Sequence, residues 1–271
     1  MDANQQADAL LSARFRFMLE ETVIPSPNSV ELSRDAKSDY VLRYGSLVPH
    51  IAELFQENTK LTPFSSLGVS VDVQEVEEAR KIFFETPYRM HAEDLEPGQE
   101  QTVRMSHEGA PQRLQPLLAA LREPGPVSRL LYSIDLFLLI GNRLYRQLPM
   151  ADFLVAERTL NPGEQRTIRS SLVRVPREAV AESPILLFLV AVPWRYMMFY
   201  GPRGYRRMMI EAGQLLHHIA QTCQQAGLVV TECQDFFDAR IDQALLLDGA
   251  ERSTLSIVLL REVREPVQGG T

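Results

Sequence analysis

A chain of 271 residues with 45% apolar content can bury a full core, as one domain or as one domain with an N-terminal extension. Its net charge of −7 and pI near 5.4 argue against a general nucleic-acid binder. The longest apolar stretches, 185–192 and 134–140 with Asp135 inside it, are too short to span a bilayer, and the N-terminus is acidic before it is apolar, unlike a secretory signal. These readings place the chain in a bacterial-type cytoplasm with no membrane role. The two cysteines, Cys223 and Cys233, have neither metal-ligand nor disulfide-framework spacing and read as reduced core residues. The lysines are Lys37, Lys60 and Lys81, so cations beyond Lys81 are arginines, which hold anions but carry protons poorly.

In chain order, residues 2–23 read as an amphipathic helix with Ala9, Leu10, Ala13, Phe17 and Leu19 buried, ending before the Pro25 to Pro27 loop. Helices are expected from about Arg34, over 48–58 and over 73–84, followed by a Glu-, Gln- and Pro-rich loop to residue 113. A helix over 112–121 is broken by Pro124, Gly125 and Pro126. Residues 131–138 read as a strand that turns through Gly141 and Asn142 into 143–147, a hairpin. The run 185–192, bounded by Pro184 and Pro193, reads as a central strand buried on both faces.

The most informative stretch is 199–233, FYGPRGYRRMMIEAGQLLHHIAQTCQQAGLVVTEC. Gly201, Pro202 and Gly204 predict a turn that sets Tyr200, Arg203 and Arg206 at a helix mouth suited to an anion. Apolar residues from Tyr205 to Ala226 then recur at three-four spacing, Gly227 caps the helix, and Leu228 opens a strand. An acidic helix over 235–247, with Asp235 and Asp238 as capping residues, and a strand over 254–261 precede a polar tail. Strands interleaved with helices make the fold class α+β, and the boundaries fall at 1–63 for a helical extension and 64–271 for the main domain.

The segment Tyr200, Arg203, Gly204, Tyr205, Arg206, then Glu211, Ala212, Gly213, then Gly227 and Leu228, resembles the nitroreductase-like flavoproteins of the SagB/ThcOx type. These are the McbC-like azoline oxidases and dehydrogenases of ribosomal peptide biosynthesis. A second match lies at Phe55 to Leu61, FQENTKL, with Gln56 where the family has histidine. A third is Leu131, Tyr132, Ser133, Ile134, which resembles the family's Leu-Tyr-Pro-Ile strand.

The resemblance implies a nitroreductase-like fold with a mainly antiparallel sheet, FMN as cofactor and an intertwined homodimer with flavin at the interface. It further implies a peptide or small-molecule substrate, with Tyr200 as acid/base. The implied cofactor contacts are Arg203, Arg206, Ser128, Tyr132, Gly213, Gln214 and Leu228. Three positions depart from the family: no Arg-Ser-x-Arg flavin-phosphate motif stands in 87–113, with Arg104 in the nearest candidate. Residues 125–130 replace a glycine-rich loop, and Phe199 stands where the family has a base-forming lysine.

Two functions follow: an FMN-dependent oxidoreductase acting on azolines or related intermediates, or a flavin-free relative serving as partner or scaffold to a biosynthetic enzyme. Completion of the flavin site by a paralogous subunit is a third arrangement. Arg203 and Arg206 also read as surface charges or partners of Glu211. His217 and His218, adjacent on a helix, point apart and read as ordinary helix positions. Trp194, Tyr196, Met197 and Met198 read as core, or as an aromatic slot.

Overall fold

In the computed structural model the described residues are Phe55, Thr59, 73–93 and 104–262, with side chains over 74–85 in the first of these stretches. The chain divides into units Met1–Asn58 and Thr59–Thr271, and every element below lies in the second. The helices expected over 2–23, from Arg34 and over 48–58, the boundary at 63/64 and the tail beyond Glu262 lie outside the described residues, save for helical Phe55.

Among the described residues seven strands form one antiparallel sheet in the order β1-β4-β3-β2-β5-β7-β6. They are β1 (Arg104–Ser106), β2 (Ile134–Ile140), β3 (Arg143–Gln147), β4 (Phe153–Thr159), β5 (Ile185–Ala191), β6 (Leu228–Cys233) and β7 (Ser253–Glu262). Period-two alternation sorts their side chains between two cores. Ile134, Leu136 and Leu138 of β2 join Leu187, Leu189 and Val258 on one face. Phe137, Leu139, Leu186, Phe188, Val190 and Ile257 line the other. Every residue of β5 is buried, because β2 and β7 flank it and helices cover both faces. The expected central strand is therefore present, with antiparallel neighbours.

The helices are α1 (Val73–Glu93), α2 (Gln115–Arg122), α3 (Pro126–Arg129), α4 (Pro162–Ser170), α5 (Arg177–Glu182), α6 (Trp194–Tyr200), α7 (Arg203–Gln225) and α8 (Asp238–Leu245). Leu114, the α2 leucines and the buried stripe Met208, Ala212, Leu215, Ile219 and Cys223 of α7 pack on the first face. Ile168 of α4 and Ile241, Ala244 and Leu245 of α8 pack on the second. The result is a helix–sheet–helix layering in which α7 leads straight into edge strand β6 through Gly227, whose φ of +80° ends the helix.

Several boundaries differ from expectation. Residues 130–132 form a 3-10 turn and β2 starts at Ile134, opposite Ala191. Beyond Ala191 the neighbouring chain reaches Pro193, which has no N–H for a ladder, and turns into α6. The 112–121 helix likewise opens as a 3-10 turn over Gln112–Leu114 before α2. α1 runs past Pro87 to Glu93, and the expected loop also holds β1. α8 starts at Asp238 behind Phe237, and no side chain caps it. Asp235 and Phe236 are instead tied to the 172–173 backbone, through the Leu172–Phe236 bridge and a 2.8 Å bond from the Val173 N–H to the Asp235 carbonyl.

The hairpin stands as expected, with Gly141 at φ +63° between paired Ile140 and Arg143. Gly204 is not a turn residue. It lies in the first turn of α7, where a Cβ would fall 2.6 Å from the Tyr196 carbonyl carbon and oxygen. Its role is to let α7 press against the backbone of α6.

Candidate functional site

α6 puts Tyr196 and Tyr200 one helical turn apart, and α7 brings Glu211 beneath them. Tyr196 is fully buried, with its ring 5.1 Å from Tyr132 at an edge-on angle of 68°. Its hydroxyl donates to the Glu211 carboxylate, with oxygen separations of 2.6 and 2.7 Å. Glu211 is 9% exposed and also receives Arg80 of α1 at 3.2 Å and the Ser133 hydroxyl at 3.4 Å. A second Arg80 bond reaches the Tyr196 hydroxyl, and the Arg80 guanidinium stands 5.3 and 5.4 Å from the Tyr132 and Tyr196 ring centres.

Burial and the Glu211 carboxylate hold the Tyr196 phenol far above its ordinary pKa, so it stays protonated as a structural donor. Burial also raises Tyr132, against the opposing charges of Arg80 and Arg195. Burial alone would lower Arg80, but the Tyr196 oxygen and the Glu211 carboxylate carry it above its ordinary range. A second ion cluster lies nearby: Asp135 of β2 pairs with Arg195 at 2.9 Å and Arg252 at 3.0 Å, while Arg195 covers the Phe83 ring at 4.4 Å.

Tyr200 is only partly buried. Its hydroxyl accepts from Arg207 Nη1 at 3.1 Å, and the Arg207 guanidinium lies 5.1 Å from the Tyr200 ring and 5.2 Å from the Tyr196 ring. The cation at this phenol is thus Arg207, not Arg203 or Arg206. Those two reach Thr59 instead: Arg203 Nη1 donates to its carbonyl at 2.9 Å and Arg206 Nη1 to its hydroxyl at 3.3 Å. Glu211 pairs with Arg80 and Arg207 rather than with either of them. Tyr200, Arg203, Arg206, Arg207, Ile210, Glu211 and Gln214 together line a cavity of about 480 Å³.

Four of the residues named from sequence, Tyr200, Arg203, Arg206 and Gln214, therefore share one cavity. The others lie apart. Tyr132 is core, its hydroxyl donating to the Arg195 carbonyl at 3.2 Å. Gly213 is exposed and a Cβ there would meet nothing within 4 Å, so no close approach requires glycine. Leu228 lines a separate 250 Å³ cavity with Arg113, Pro184 and Leu260. Ser128 is buried beside a third cavity of about 640 Å³, walled by Phe84, Pro124, Pro126 and Met150 with Lys81, Glu85 and Arg129.

Of the aromatic-slot candidates, Tyr196 is core, whereas Trp194, Met197 and Met198 are 52%, 37% and 64% exposed. Arg80, Arg207 and the load on Glu211 escaped the sequence reading. Only Arg207 and Glu211 left a signal, their spacing of four residues on one helix. Among the described residues no group of three or more His, Cys, Asp or Glu side chains is placed to hold a metal, and no helix is long and apolar enough to cross a membrane. Both cysteines are buried and free, burial pushing the Cys223 thiol up to about 11.

The donor sets can be matched to a flavin nucleotide end by end. The guanidinium wall of Arg203, Arg206 and Arg207 suits a phosphate. The 125–130 segment does not suit the ring edge. Gly125 spends its N–H on Ser128 Oγ at 3.0 Å, Pro126 has none, and the two cavities share no lining residue.

The sequence matches no family model and no curated protein. Solved structures do share the fold. A protein assigned as a nitroreductase from Anabaena variabilis aligns with TM-score 0.58 and 17% identity over 78% of this chain, which spans 46% of that one. A chain of the E. coli microcin synthetase McbBCD complex with truncated pro-MccB17 bound aligns over 92% of this chain and 98% of its own, at 19% identity and TM-score 0.49. An FMN-dependent nitroreductase from Clostridium difficile aligns over 57% of this chain and 76% of its own, at 10% identity and TM-score 0.36. The fold is that of the nitroreductases, an α+β arrangement with an antiparallel sheet between helical layers.

Proposed function

We propose that the chain is an FMN-dependent oxidoreductase of the SagB/ThcOx type, a homodimer that dehydrogenates azolines or a related peptide or natural-product intermediate. The observation that carries this reading is the placement of Tyr200: a partly exposed phenol, oriented by Arg207 at 3.1 Å, on the wall of an arginine-lined cavity. Arg207 donates into the phenol oxygen and so orients it on the cavity wall, where its deprotonated form would accept the proton that an azoline loses on dehydrogenation. Arg203 and Arg206 are the residues to hold the flavin phosphate. Flavin, when bound, supplies a hydride acceptor. Substitution of Tyr200 by Phe should lower turnover of such an intermediate by about 10²–10⁴, the usual contribution of a positioned acid/base, and unchanged turnover rejects the role.

The Gly125 turn favours a second reading, a flavin-free partner or scaffold subunit of a biosynthetic complex, since the amide that would approach a flavin ring is already spent. Purification separates the two. A yellow protein that releases FMN on denaturation supports the oxidoreductase. A colourless one that FMN titration leaves unchanged removes it, and FMN binding only on co-expression with a related subunit assigns the site to a heterodimer.

A further inference from the structure

We infer that Glu211 is a positioning residue for Tyr200, acting through Arg207; this rests on the role proposed for Tyr200. Arg207 is placed by four contacts at once. Its guanidinium lies beside both aromatic rings, 5.2 Å from the Tyr196 centre and 5.1 Å from the Tyr200 centre, its Nη1 donates to the Tyr200 hydroxyl at 3.1 Å, and its Nε lies 3.7 Å from Glu211 Oε1. The arginine is 45% exposed, and an exposed pair of this kind holds little by itself. What distinguishes this pair is the other member.

The Glu211 side chain is 11% exposed and has its own position fixed by the Tyr196 hydroxyl, Arg80 and Ser133. A carboxylate held by three donors presents a fixed anion to Arg207. The cation is thereby drawn to one side, with its fork aimed at Tyr200. The buried cluster of Arg80, Tyr196 and Glu211 has no other outlet to the cavity among these contacts, since Glu211 itself lies on the cavity wall beside Arg207. The chain of contacts thus runs from the α1 cation to the α7 carboxylate, then to Arg207 and the phenol. Neutralising Glu211 while keeping its shape releases Arg207 without removing it.

The test uses Glu211→Gln and, because a substitution at a buried site can unfold the protein, Arg207→Lys at the exposed partner. Turnover of the FMN-loaded protein is expected to fall about tenfold or more in either variant, in kcat rather than KM. In a Tyr200→Phe background neither should cause a further loss, because the group they position is gone. Equal losses with and without Tyr200 overturn the inference and make Glu211 merely structural.

A second readout needs no turnover. The Arg207 Nε–H resonance in a nitrogen-15 spectrum, assigned by its disappearance in Arg207→Lys, should shift and exchange faster with solvent in Glu211→Gln. An unmoved resonance also overturns the inference. Failure of the flavin reading is seen separately, as absence of FMN binding in the unsubstituted protein, and leaves this second readout to decide whether Glu211 holds Arg207.

Discussion

Tyr196 and Tyr200 share a helix and differ by one turn, yet their surroundings give them opposite work. Tyr196 loses all its solvent and gains a carboxylate acceptor, so its proton is locked in place. Tyr196→Phe would take one donor from the buried Glu211 carboxylate, and equilibrium denaturation should show a loss of about 1–3 kcal/mol. Tyr200→Phe removes a partly exposed hydroxyl and should change stability by less than about 0.5 kcal/mol. His107 gives a different signal. It is 8% exposed, with Nε2 2.9 Å from Gln147 Oε1, and burial lowers its pKa from the ordinary 6.5 against the help of Gln147 and Asp152, with Arg122 adding to the lowering. The unfolded chain then binds the proton more tightly than the folded one, so this histidine's contribution is complete above 6.5 and declines as pH falls toward its folded value. Thermal unfolding of His107→Gln should accordingly depend less on pH between 7 and about 5 than that of the unsubstituted protein. Sequence named Tyr200, whose motif is local. It passed over Arg207, because only the fold shows which of three neighbouring arginines reaches the phenol.

At the scale of elements, the legible parts were those whose patterns are complete within a few residues. The all-apolar run of β5, the Gly141–Asn142 turn and the stripe of α7 each state their own structure. α4 carried an equally clear sign that went unread: Asn161 caps Gly163 and Glu164 at 2.8 and 3.0 Å, and Glu164 returns to the Asn161 N–H at 2.8 Å. Where an element's end depends on a distant partner, sequence misplaced it, as at the late starts of β2 and α8. The junction of α6 and α7 depends on Gly204. A methyl group there meets backbone atoms at 2.6 Å, which cannot rotate aside. Gly204→Ala should therefore destabilise by about 1–3 kcal/mol despite alanine's better helix propensity. A denaturation midpoint equal to or above that of the unsubstituted protein would show that the helices can separate at no cost.

The whole molecule depends on the sheet being covered twice. Phe188 is fully buried at the centre of the second core, so Phe188→Ala should cost about 3–5 kcal/mol in chemical denaturation, against a marginal total stability. The same layering explains the site. α1, α6 and α7 meet over one end of the first core, and Arg80 reaches Glu211 across 131 residues of chain. By itself the sequence determined the α+β class, the central strand, the hairpin, the long helix and the arginine-rich mouth that presents Tyr200, because period, turn chemistry and capping are local properties of the chain. Only the tertiary structure decided that Arg203 and Arg206 turn to Thr59, that Arg207 takes the phenol, and that Glu211 is the buried anion beneath it. The partner of a charged side chain is chosen by burial and by which elements pack together, and neither is written in the spacing of residues along one helix.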